Sequence, residues 1–244
     1  TIRYACLLHD IGHAPFSHAL EHLFNEIECK DLLKAYGFSF DVDEETSAPH
    51  ERMSCLIALK FFEEKFKELK IDIELFCRMI LGIEYEIGTP KSELNPLINL
   101  LNSYIDVDKL DYLMRDNIMT GVHMVSLDKE RIIKSYTVHN NILVLSSKAL
   151  SVVSNLIYGR NAMYLWVYNH HIVSYYTSLI QRYTQYLIEV DPNVKKNYIF
   201  LRYSNTTSFF ESFVKMYGTS LNALEVVLGS NKSVNLLVSF SIKT

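Results

Sequence analysis

A mainly all-α fold carrying one small β-hairpin is what this 244-residue sequence predicts. Three observations lead there. Apolar residues recur at intervals of three and four in Met53 to Phe66, Ile73 to Leu81, Leu97 to Leu113 and Ala149 to Leu187, the period of an amphipathic helix rather than a strand. The whole chain holds 8 Gly and 5 Pro, and they are scarce within these runs. Only at Tyr136 to His139, Asn140-Asn141 and Ile142 to Leu145 does the pattern change, to a β-branched apolar run behind two residues that tolerate positive φ.

Taken in order, Ile2 to Leu8 reads as helical, and the chain then enters Leu8-His9-Asp10-Ile11-Gly12-His13-Ala14-Pro15-Phe16-Ser17-His18. Gly12 and Pro15 argue for a break near Gly12 to Ala14 and a new helix opening at Pro15. Lys34 to Ser47, with Gly37 and the acids Asp41, Asp43, Glu44 and Glu45, reads as a solvated loop. Pro49 then opens a helix, since proline suits a first helical turn. Beyond Asn193 the sequence is mixed polar and aromatic, with a helix expected at Ser220 to Leu228.

Composition bounds the function. Half the residues (49%) are hydrophobic, enough for a substantial core, and 24 Lys and Arg against 28 Asp and Glu give a net charge of −4. That balance offers no case for a nucleic-acid or acidic-membrane partner. No apolar run approaches the roughly 20 residues needed to span a bilayer. Cys6, Cys29, Cys55 and Cys77 are widely spaced and read as buried free thiols in a reducing, cytoplasmic setting.

The chemistry concentrates in four stretches. His9 and Asp10 supply nitrogen and oxygen donors suited to a transition or divalent metal, with His13 and His18 close by. Ala48-Pro49-His50-Glu51-Arg52 sets a His-Glu pair at a helix start. In Ile105 to Asp116, a helix would bring Asp108, Tyr112 and Asp116 onto one face, with Asp111 and Arg115 pairing on the wet side. In Tyr158 to His170, Arg160, Tyr164 and Tyr168 repeat at four. An aromatic stripe at that spacing is usually core, the reading kept for Tyr164 and Trp166.

Together, in this order over residues 3 to about 188, these stretches resemble the HD-domain phosphohydrolases, and within them the deoxynucleoside triphosphate triphosphohydrolases. The resemblance implies an HD-domain helical bundle. Residues 1–135 would form the metal-site core and 136–190 the hairpin and long helix that complete a nucleotide site; no role is implied for 191–244. It implies hydrolysis of a deoxynucleoside triphosphate to deoxynucleoside and triphosphate. His9, Asp10 and Asp108 would hold a divalent metal, which could be Mn, Fe, Mg, Zn, Co or Ni. His18 would be the acid, oriented by Glu21 with His50 as partner, and His13 would meet phosphate. Lys109 and Arg160 would neutralise polyphosphate, and Tyr112, Asp116 and Tyr168 would contact phosphate and sugar, Tyr168 crowding the edge where a ribonucleotide carries its 2′-hydroxyl. A homo-oligomer and a nucleotide effector are implied in the same way.

The chain departs from the family pattern at Ala14, where Gly is common, at Glu21 for Asp, and at His171 for Lys. The family's first metal His, with an Arg shortly before it, belongs upstream of Thr1. The expectation is therefore a fragment, since Thr1 is not Met and Ile2 to Leu8 reads as mid-helix. The alternatives are a nucleotide-binding pseudoenzyme that has lost the ligand, or an HD hydrolase of monophosphates or cyclic nucleotides.

Overall fold

A computed structural model describes residues 1–13, 16–24, 36–38, 47–122 and 127–190. Among them are eight α-helices and one two-stranded antiparallel sheet, the mainly helical fold with a single hairpin that the periodicity implies. The chain divides into two compact units, one of residues 1–13 with 27–178 and the other of 14–26 with 179–244.

The first unit opens with α1 (Ile2–Leu8), which buries Ala5 and Leu8. Next comes α2 (Pro49–Glu68), begun by Pro49 and steadied where the Ala48 N–H donates to the Glu51 carboxylate at 2.6 Å. Then α3 (Ile73–Leu81) is capped by Asp72, whose side chain accepts from the Leu75 N–H at 3.0 Å, and stopped by Gly82 at φ +70°. Both α1 and α2 pack on α3. Tyr4, Phe66 and Phe76 lie in an aromatic chain there, with centroids 6.3 and 4.9 Å apart, beside buried Met53, Leu59, Met79 and Ile80.

The run expected as one helix over Leu97 to Leu113 is two. A short α4 (Asn95–Asn99) ends in a turn, and α5 (Val107–Thr120) starts afresh because the Asp106 carboxylate caps it, accepting from the Lys109 N–H at 2.7 Å. After α6 (Lys129–Ile133), β1 (Tyr136–His139) pairs with β2 (Ile142–Leu145) in the register Tyr136 to Leu145 through His139 to Ile142. Asn140 and Asn141 turn the hairpin at φ +50° and +60°, as a two-residue left-handed turn requires.

The expected long helix over Ala149 to Leu187 is likewise divided. It begins as α7 (Leu150–Met163), widens into a π-helical turn over Tyr164–Tyr168 and resumes as α8 (His171–Val190). The Asn169 N–H bonds the Tyr164 carbonyl at 2.9 Å, five residues back, which marks the extra residue in that turn. Leu110 and Leu113 of α5, Ile132 of α6, and Val152, Leu156 and Met163 of α7 form the core beneath it. The core reading of the two nearby aromatics fails: Tyr164 is 38% and Trp166 58% exposed. Trp166 lies within the π-turn, where the extra residue shifts the register that helical spacing assumes, and Tyr164 opens the turn with its ring against Tyr168 and the Arg160 guanidinium.

In the second unit a 3₁₀ helix spans Ser17–Phe24, preceded by Phe16 at φ +64° and opened by Ser17 at φ +49°. The described helix thus begins at Ser17; Pro15, where it was expected, lies outside the described residues. Also outside them are Cys29, most of the Lys34 to Ser47 loop and everything from 191 onward. Cys55 and Cys77 are buried as expected, while Cys6 is only partly covered.

Candidate metal centre

The His9 segment leaves α1 at Leu8 and turns at once, with Ile11 N–H on the Leu8 carbonyl and His13 N–H on the Asp10 carbonyl at 3.2 and 3.0 Å. Gly12 presses this turn onto α2. Its N–H donates to the Ser54 hydroxyl at 2.7 Å, and Ser54 in turn donates to the His9 carbonyl. A Cβ on Gly12 would overlap the His50 carbonyl and the Ser54 nitrogen, so no other residue fits without moving backbone.

That turn aims His9 at Asp108 on the first turn of α5. The His9 Nδ1–H donates to the Cys6 carbonyl at 2.9 Å, which can only accept, so Nε2 is the free ring nitrogen. It lies 3.4 Å from Asp10 Oδ1 and 3.3 Å from Asp108 Oδ1, buried and without a hydrogen bond of good geometry. The three ligand atoms fall within 4.8 Å of one another. One imidazole nitrogen and two carboxylate oxygens around one point fit a divalent cation.

Electrostatics favour charge there. Burial alone would lower the His9 pKa, but the Asp108 and Asp10 carboxylates and the Cys6 carbonyl outweigh it and raise the imidazole to about 9. Burial pushes Asp10 up, yet His13, whose Nε2 is 3.5 Å from Oδ1, together with His9 and His50, holds it below its ordinary value. His13 and His50 are stacked with centroids 4.0 Å apart, so the structure brings those two expected site residues together. His18 and Glu21 pair with each other in the second unit, Nδ1 to Oε2 at 2.8 Å.

Along α5 the other expected residues gather with α7 and the π-turn. Tyr168 donates to Asp116 Oδ2 at 2.7 Å, and its ring meets those of Tyr112 and Tyr164 edge-on at 6.2 and 5.2 Å. The Arg160 guanidinium lies over the Tyr164 ring at 4.5 Å, and its buried Nε has no hydrogen-bond partner. Burial and neighbouring Tyr164 push the Tyr112 phenol up to about 12 against the pull of Arg160. Burial and Asp116 push Tyr168 higher still, so both phenols stay protonated as donors. Lys109 is engaged locally, its ammonium on the Asp106 carboxylate and on the Ser103 carbonyl at 3.0 Å. The pairing of Asp111 with Arg115 on the wet side of α5 is present at 2.8 Å.

Residues 127–211 match the family described as HD associated region. An uncharacterized protein of Methanocaldococcus jannaschii is 26% identical over 191 residues, covering 74% of this chain and 32% of that protein. A Dictyostelium discoideum protein named deoxynucleoside triphosphate triphosphohydrolase SAMHD1 homolog is 27% identical over 172 residues, 70% of this chain and 30% of that one. Among solved structures, a phosphohydrolase of Bacteroides thetaiotaomicron is 28% identical with a TM-score of 0.53, covering 77% of this chain and 40% of that chain. These likenesses support the HD phosphohydrolase superfamily. The chain spans about a third of the length of these curated relatives.

The helical fold agrees with these likenesses, and among the described residues no helix is long and apolar enough to cross a membrane. The sequence assigned Tyr164 to the core and gave Asp106 no role. A capping Asp before a helical run was the available signal for the second; nothing local announces a π-turn.

The His9 environment sets a pH dependence. With chelator present, the folded imidazole titrates at about 9 rather than at the ordinary 6.5, so its pairing stabilises the protein fully below pH 6.5 and is lost as pH rises through about 9. A metal ion must displace that proton, so affinity rises over the same window. Melting curves with EDTA should fall from pH 6.5 to 9, and the difference between melts with Mn²⁺ and with EDTA should widen. A flat EDTA series would contradict the pairing.

Proposed function

We propose that this chain forms the metal-centre part of a phosphohydrolase whose substrate is a deoxynucleoside triphosphate, cleaved at the α-phosphorus to deoxynucleoside and triphosphate. The observation that carries the reading is the buried Nε2 of His9 facing Asp10 and Asp108 across a gap that a divalent cation fits. When bound, such a cation neutralises phosphate charge and acidifies water.

The other roles fall to the chain's own groups. Cys6 and its carbonyl keep His9 in the tautomer that offers Nε2. His13, close to Asp10, is placed to donate to a phosphate oxygen. Departure of the nucleoside 5′-oxygen requires a proton, and His18, whose Nδ1 pairs with Glu21 Oε2 at 2.8 Å, keeps the acid role that the family resemblance suggests. Arg160, with its unsatisfied buried Nε, supplies positive charge beside two phenol donors, and the Tyr168–Asp116 pair borders the sugar. The named activity of the Dictyostelium relative supports the same substrate class.

One observation favours a second reading, an HD hydrolase of another nucleotide: Lys109 is held by Asp106 and Ser103 rather than free for polyphosphate. The test is to incubate the full native chain with each dNTP, dNMP and cyclic nucleotide plus Mn²⁺ or Mg²⁺ and resolve the products by ion exchange. Deoxynucleoside with intact triphosphate is the expected result. Inorganic phosphate from a monophosphate would select the second reading, and no product under any condition would overturn both.

A further inference from the structure

We propose that Ser54 is a positioning residue for the metal centre, its hydroxyl bracing the turn from which His9 and Asp10 project; the inference rests on the metal-centre reading above. Ser54 stands inside α2, where a serine ordinarily turns its hydroxyl to the carbonyl four residues back or to water. Here it is completely buried and reaches out of its helix instead. The single hydroxyl proton goes to the His9 carbonyl and a lone pair takes the Gly12 N–H at 2.7 Å.

Those two contacts bracket Asp10. The His9 carbonyl lies just past the end of α1, where carbonyls lose their helical partners, so this bond fixes a group that would otherwise be free to swing. With the Cys6 carbonyl holding the other side of His9, backbone and ring are both restrained before any cation arrives. Gly12 completes the device, since only without a Cβ does the turn come close enough to Ser54 to be gripped. A serine that merely filled space would need neither bond.

The deciding experiment measures Mn²⁺ binding to the full native chain by titration calorimetry and by the bound-ion EPR spectrum, in parallel with Asp108→Ala and Ser54→Ala. Ser54→Ala is expected to stay folded by circular dichroism, to bind Mn²⁺ at least about tenfold more weakly and to give an altered spectrum, as loss of a group behind a metal ligand does. Native affinity and spectrum in Ser54→Ala, with binding lost in Asp108→Ala, would overturn the role of Ser54 alone. A native chain that binds no Mn²⁺ would refute the metal centre itself and this inference with it. If Ser54→Ala does not fold, Ser54→Cys decides by the same criteria, since it nearly preserves volume while its thiol is a weak hydrogen-bonding group.

Discussion

Asp108→Ala should lose divalent-metal affinity by more than about a hundredfold, and turnover with it, because even groups standing behind metal ligands cost ten- to a hundredfold when removed. The geometry explains the size. Asp108 is the member of the His9, Asp10, Asp108 group that comes from a distant helix, and its Oδ1 lies 3.3 Å from His9 Nε2. Without it, the remaining imidazole and carboxylate share one turn and cannot enclose an ion. A second readout needs no metal. The Asp108 carboxylate is the foremost influence raising the His9 imidazole against its burial, so in the variant His9 should titrate well below about 9. NMR titration of the histidines in EDTA measures this directly. Native metal affinity in the variant would remove Asp108 from the centre, and an unmoved His9 would remove it from the electrostatics.

Gly12→Ala should be the most damaging single methyl group in the described part of this turn. The new Cβ would overlap the His50 carbonyl and the Ser54 nitrogen, both backbone atoms of α2, so relief requires moving the turn or the helix. Overpacking of this kind costs about 1–3 kcal/mol, and the shift also breaks the 2.7 Å bond from Gly12 to Ser54. Melting should therefore fall by several degrees, and Mn²⁺ affinity should fall along with it. A variant as stable as the native chain would show that the turn stands further from α2 than described.

How much was legible beforehand depended on range. Asp72 and Gly82 bracket Ile73–Leu81 with a cap at each end, and the bounds read from periodicity coincide with the observed helix. The hairpin is legible for the same reason, since Asn140 and Asn141 adopt the positive φ their side chains tolerate. Periodicity misled where a local event overrode it. One helix ends at Asn99 and Asp106 caps the next inside what reads as one apolar pattern, and Trp166, within the π-turn at Tyr164–Tyr168, is exposed. At the candidate centre, ligand types could be read from His9-Asp10, and Asp108 from family resemblance. The bracing by Ser54 could not, because it depends on a contact between segments that sequence spacing does not relate.

The π-turn also makes this helix unusually forgiving of one kind of genetic change. An α-helix cannot ordinarily shed a residue without misaligning everything beyond it, since each residue advances the helix by about 100°. Over Tyr164–Tyr168 the surplus residue is already there, and a single-codon deletion would let the carbonyls regain four-residue spacing within the turn, with Asn169 and His170 still parting it from α8. What would be forfeited is the aim of Tyr168 at Asp116. In a lineage where that contact ceased to matter, the surplus residue would be the easiest part of this helix to lose.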